Sequence, residues 1–168
     1  MNDGDFEVDI LDDQAQINGK KLRKDIVKGV DVYHAVYGVV VTPEGQLVIS
    51  LIGNPEGMPN LHAGKLGCTC ATIRRIDESG DEAMKRAIKK ELNISSSPQI
   101  LFEEFVDIDN TKRLISFYVI VSEMPENYNK EDITELKKCT KTEFEELLTS
   151  QPQNITPPLK LFYTKYKF

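Results

Sequence analysis

The stretch His34–Val41, HAVYGVVV, constrains this chain more than any other. It is a continuous apolar run rich in β-branched valine, which suits a strand covered on both faces. The segment after it, TPEGQ, sets Pro43 and Gly45 where turn chemistry wants them, and LVISL (47–51) follows as the hairpin partner. The chain is then full of Gly, Pro and Asn from 52 to 65, which predicts a long loop with little regular structure. LGCTCAT (66–72) reads as a short strand.

The later elements announce themselves by local signals. Ser79 followed by Glu82 is a capping box, so a helix starts there. QILFEEFVDI and RLISFYVIV read as two strands joined through DNTK, a second hairpin. Residues 122–133 read as a polar linker. Thr140 with Glu143 repeats the capping box ahead of FEELL, and ITPPLKLFYTKY places its prolines at the first turn of a third helix. Before the valine-rich run, residues 6–30 predict a short strand or hairpin leading into a basic loop. Strands with helices between and after them make an α/β or α+β sandwich. One domain is expected, with 1–30 as an N-terminal strand or hairpin extension and 31–168 as the main body.

Composition narrows the partners. At 168 residues, with 40% hydrophobic and 29% charged, the chain can bury a core without disulfides. A net charge of -6 argues against nucleic acid as the main partner. Basic clusters at GKKLRKDIVKG (19–29) and KLFYTKYKF read first as solvated faces and second as phosphate contacts. No apolar run is long enough to span a membrane, and the acidic start MNDGDFEVDI has no signal-peptide core. Three cysteines, an odd number, do not make a disulfide framework, so a reducing, cytoplasmic setting is expected.

The segment with chemistry in it is DESGDEAMKRAIKKELNI (77–94). On a helical wheel Met84, Ala87, Ile88 and Leu92 form one apolar arc, and Glu91 falls inside it, between Ala87 and Ile88. A carboxylate in a core-facing stripe needs a partner, because an unpaired buried charge is costly. A metal ion, an arginine or backbone amides would each serve; otherwise Glu91 bends toward solvent from the last turn.

This segment resembles the signature of the Nudix hydrolases, GX5EX7REUXEEXGU with U aliphatic, and aligns to it from Thr72 to Ile94 without a gap. Thr72 stands at the first glycine, Glu78 at the first glutamate, Arg86 at the arginine, Ile88 at the aliphatic position, Glu91 at the last glutamate and Asn93 at the second glycine. HAGKLGCTCAT and ITPPLKLF are similar to runs of the isopentenyl-diphosphate-isomerase-like branch. The resemblance implies a Nudix-type α/β/α sandwich with a mixed sheet, and Mg²⁺ or Mn²⁺ held by helix carboxylates to activate water against a diphosphate.

The chain departs from that pattern where the metal would sit. The three helix glutamates of the family correspond here to Ala87, Lys90 and Glu91, and Arg75 stands at a further acidic position. A lysine ammonium in a dication site is repulsive. Glu78 and Arg86 are expected to brace the loop against the helix. An isomerase is disfavoured too: Ile73, TKRL and Ala71 stand where its second histidine, glutamate pair and cysteine belong, leaving only His34 in place.

Cys68 and Cys70, two apart on one predicted strand, face the same way and read as packed thiols, with zinc as the alternative if His62 or Cys139 joins them. Phe102, Phe105, Phe117 and Tyr118 read as core, with one free to stack a base at a cleft mouth. Taken together, a degenerate Nudix box predicts a protein that recognises a small diphosphate-containing or nucleotide-linked ligand, with hydrolysis weak or lost. Glu91 and Glu78 are the candidate catalytic and metal-binding residues; Arg75, Arg86, Lys90 and His34 are the candidate ligand contacts. The alternatives are a metal-dependent pyrophosphohydrolase completed by Asp81, Glu103 or Glu104, and an interaction scaffold; a homodimer is compatible with each.

Overall fold

The computed structural model describes residues 4–55 and 60–166. Part of the long loop (56–59) and the last two residues of the C-terminal basic cluster lie outside that range. The first hairpin pairs β1 (Glu7–Leu11) with β2 (Ile17–Leu22) and is a separate two-stranded sheet. Phe6 and Val8 from its start pack on Tyr33 and Ala35, so it is seated on the main body by an apolar contact.

The main body is built on β3 (Tyr33–Val41), which is buried at every position but one. It pairs in parallel with β8 (Thr111–Val121), and β8 pairs antiparallel with β7 (Gln99–Ile108). The turn between those two strands has only Asp109 and Asn110, both at positive φ (52° and 60°), the two-residue geometry that suits the strand twist. On the other side of β3 lie β4 (Leu47–Ile52), the short β5 (Leu66–Gly67) and β6 (Cys70–Ile73), and β9 (Ile133–Cys139) pairs along β4. The result is a mixed seven-stranded sheet.

Helices cover both faces. α1 (Gly80–Ala87) and the π-type turn that continues it (Ile88–Leu92) bury Met84, Ile88 and Leu92 against Val36, Val40, Tyr118 and Ile120. Gly38 permits that approach: a Cβ there would lie 2.8 Å from both Ile120 Cδ1 and Met84 Sδ. On the opposite face α2 (Lys141–Ser150) and α3 (Pro157–Lys165) bury Phe144, Leu159 and Phe162 against Val39 and Phe117. The chain is therefore an α/β/α sandwich. Both capping boxes form, Ser79 with Glu82 and Thr140 with Glu143.

Two sequence expectations are corrected. The linker reading of residues 122–133 ran up to a strand, β9, that had no period-two signal. A register shift between its pairings to Leu51 and Ile52 puts Ile133 and Leu136 on one face despite their odd spacing, while Cys139 joins the opposite core. The segment 66–72 is not one strand either. It breaks between β5 and β6, and the break sends Cys68 into the core under α2 and α3 and Cys70 into the core under α1. The two thiols do not face the same way.

Candidate functional site

A fork in the sheet makes the site. β3 and β4 pair only at Val40 with Val48 and Val41 with Leu47, and beyond that point they diverge. β5 then follows β4, and β6 follows β3 from Ala35 to Gly38. Thr69 sits at the vertex, fully buried, accepting from the Val40 N–H at 2.8 Å and donating to the Val48 carbonyl. Its hydroxyl satisfies two ladder groups that the fork would otherwise leave unpaired. Beside it the Ser50 hydroxyl donates to the Cys68 carbonyl at 2.7 Å.

A cleft of about 320 Å³ opens from this fork, within the range of small-molecule sites. Its floor includes Tyr33, Ala35, Tyr37 and Cys68–Ile73; its rim takes Phe6, Arg23 and Lys28 from the N-terminal segment, Arg86, Lys90 and Glu91 from the helix, Arg113 from β8, and Asp132 from the approach to β9.

The helix is clamped to the strand before it. Arg86 donates through Nε to Glu78 Oε1 at 2.8 Å and through Nη2 to Oε2 at 3.0 Å, and also reaches Thr72 Oγ1 and the Ile73 carbonyl. The Arg75 N–H donates to the same carboxylate at 2.9 Å. Burial alone would raise the Glu78 carboxyl, but these donors and the Arg86 charge outweigh it and hold it below the usual carboxylate range. Asn93, at the position of the signature's second glycine, ends the turn in the left-handed conformation at φ 52°, where Asn is among the better tolerated side chains.

Each candidate residue from the sequence can now be placed. Glu91 is half-buried in the cleft and accepts from the Ala71 N–H at 3.3 Å, one of the partner types its position demanded. Lys90 lines the cleft too, with Nζ 4.0 Å from Asp132 Oδ2. Arg86 lines it with its guanidinium committed to Glu78 and the strand. Glu78 stands behind Arg86, outside the lining. Arg75 is outside it as well, stacked over the Phe6 ring at 4.5 Å.

His34 lies on the α1 face of β3, away from the cleft-lining Tyr33 and Ala35. Its Nε2 is 2.7 Å from Ser116 Oγ, which in turn donates to Glu103. Burial first, opposed by Glu103 and reinforced by Arg74, lowers the ring to about 4. At neutral pH the ring is therefore uncharged, and its 3.5 Å approach to Glu103 is not an ion pair.

The carboxylates considered for completing a metal site are elsewhere. Asp81 accepts from Tyr118 OH, Glu103 from Ser116, and Glu104 faces Lys165 at 3.5 Å. Among the described residues no three His, Cys, Asp or Glu side chains come together to hold a metal. Mg²⁺ and Mn²⁺ want several oxygen ligands. The cleft offers Glu91, already bonded to Ala71, and Asp132, with the Lys90 ammonium beside them. That ammonium would oppose a cation by roughly 4 kcal/mol per unit charge at about 4 Å and an effective dielectric near 20. This donor set does not fit the metal centre that the resemblance implies.

Arg113, Tyr33, Tyr37 and Asp132 gave no site signal in the sequence, whereas Arg23 and Lys28 belong to the basic stretch 19–29 that reads second as a phosphate contact. Only the fold brings them all to one opening.

Comparison of the whole structure finds the fold among solved proteins. DR0079 from Deinococcus radiodurans superposes with a TM-score of 0.81 over 96% of this chain and 99% of that one, at 18% identity. A MutT protein from Methanosarcina mazei Go1 gives 0.62 over 79% and 91% of the two chains at 16% identity, and a MutT NUDIX hydrolase from Burkholderia pseudomallei gives 0.62 over 81% and 98% at 16%. No family model and no curated protein sequence matches the chain. The shared property is the Nudix fold. No helix among the described residues is long and apolar enough to cross a membrane.

Proposed function

We propose that this Nudix-fold chain binds a small diphosphate-containing or nucleotide-linked ligand in the cleft, and that metal-dependent hydrolysis is weak or lost. The observation that carries this reading is the sign of the cleft. Among the described residues its lining has five cations, Arg23, Lys28, Arg86, Lys90 and Arg113, against two carboxylates, Glu91 and Asp132, in a protein of net charge -6. The balance stays positive when Glu78, paired with Arg86 behind the lining, is counted. A concentration of positive charge on an acidic protein favours anionic ligands. Aromatic Tyr33, Tyr37 and Phe6 in the same opening supply surface for the rest of such a molecule. Lys90 then meets the phosphate directly, as a charge-assisted donor, at the place where the family pattern has an acid.

The test is a thermal-shift series with inorganic pyrophosphate, ADP and a prenyl diphosphate, each with EDTA and with Mg²⁺. The prenyl compound is included because residues 62–72 resemble the isomerase-like branch. A ligand at roughly a hundred times its Kd should raise Tm by about 5–10 °C, with or without metal, and Lys90→Glu should abolish the shift. Phosphate release that requires Mg²⁺ and disappears in Glu91→Gln would replace this reading with a pyrophosphohydrolase. Silence from every compound would leave the scaffold reading.

A further inference from the structure

The two ends of the cleft are built differently. At one end, Lys90 and Glu91 rest against β6 and the start of β9. At the other, Arg113 enters from β8, in register with Tyr33 of β3. Two strand spacings, roughly 10 Å, separate β8 from β6 across β3. Ala71, which Glu91 contacts, pairs with Tyr37 of β3, further along that strand than Tyr33. Arg113 covers part of this offset by reaching Tyr37 OH.

Among the described residues Arg113 is held as a donor with no acid to neutralise it. Its guanidinium lies 5.6 Å from the Tyr33 ring centroid, and Nη1 donates to Tyr37 OH at 3.1 Å. Its Nε is buried without an acceptor, and among the described residues no carboxylate pairs with Arg113. By contrast Arg74 and Arg86 each have an acid, Asp9 and Glu78. Two tyrosines that position a guanidinium, one by stacking and one by its hydroxyl, leave its remaining N–H groups for a ligand. The loop carrying Lys28 reinforces the same end: Gly29 sits against the Asn110 carbonyl, next to the strand that begins with Thr111, and Lys28 lines the cleft. His62 stands there too, bound through Nε2 to Asp109 at 2.8 Å, so the one acid of that turn near the mouth is already engaged.

We infer that Arg113, with Lys28, forms a second anion subsite, so that the ligand is elongated and carries an anionic group at each end, one at Lys90 and one at Arg113. This rests on the phosphate reading above and extends it: a ligand with a single phosphate engages only one of the two ends.

Calorimetric titration in EDTA with hexyl phosphate and with hexane-1,6-diol bisphosphate tests it, because the second carries two phosphates held apart by an extended chain and the first carries one. The expected result is that wild type binds the bisphosphate at least about tenfold more tightly than the monophosphate. Arg113→Gln should bring the ratio of the two Kd values to within about twofold, Arg113→Lys should keep most of it, and Lys90→Gln should weaken both ligands. Equal binding of the two compounds by wild type, or an undiminished ratio in a folded Arg113→Gln, overturns the second subsite and leaves the phosphate reading standing. If wild type binds neither compound, the phosphate reading fails and the subsite with it. Circular dichroism and Tm of each variant establish that the ratio is read on folded protein.

Discussion

Glu78 and Arg86 meet side on, two guanidinium nitrogens on two carboxylate oxygens at 2.8 and 3.0 Å, and they tie the loop after β6 to the last turn of α1. Both side chains are mostly buried, and Arg86 carries the tie on to Thr72 and Ile73. The pair works as a brace between the loop and the helix.

Glu78→Gln keeps the shape and removes the charge, and it should cost about 2–3 kcal/mol at pH 7 by leaving Arg86 partly buried without its counter-charge. The Glu78 carboxyl is lowered on folding, so its contribution is present above the unfolded value, about 4.3, and is lost as pH falls through the folded one. Urea midpoints between pH 7 and 3 should show wild type and variant converging below pH 4.3. A constant gap across that range would refute the assignment.

His34 makes a separate window. Its ring is lowered on folding from 6.5 to about 4, chiefly by burial. Between those values the unfolded chain takes up a proton that the native chain refuses. Stability should therefore fall as pH drops from 6.5 toward 4 and be flat above 6.5, by an amount of up to about 3 kcal/mol. His34→Gln should flatten that slope, and a variant as steep as wild type between pH 6.5 and 4.5 would show that the proton goes elsewhere.

Thr69→Val is nearly isosteric and strips the vertex of the fork of its hydroxyl. The Val40 N–H and the Val48 carbonyl then lose their partner in a fully buried place, at a cost of about 2–4 kcal/mol. Thr69→Ser keeps the hydroxyl and should stay within about 1 kcal/mol of wild type on denaturant unfolding. Equal stability of the valine and serine variants would mean that packing, not hydrogen bonding, closes the fork.

Much of the architecture was legible because its causes are local. The capping boxes at Ser79 and Thr140 need only residues three apart. The valine-rich run announced β3 because a strand buried on both faces needs no alternation. β9 escaped because its register shift breaks the period on which a strand is recognised, and Cys68 and Cys70 were paired on one face because nothing in LGCTCAT marks the break between β5 and β6.

The candidate site divides in the same way. The family resemblance named Glu91, Lys90 and Arg86 together as site residues, and the fold brings all three to one opening. The resemblance also brought in Arg75 and His34, which local spacing cannot distinguish from cleft residues. Arg75 lies over Phe6 of the N-terminal hairpin, and His34 points to the α1 face of its strand. Arg113, between two tyrosines of a strand some eighty positions away, belongs to the opening only through the parallel pairing of β3 with β8. By itself the sequence determined most of the elements, their caps and the charge carried on the helix, since these depend on neighbours a few residues apart. The tertiary structure alone decided which cations share a cleft and which are spent on ion pairs, because charge acts through space and the chain order does not record distance.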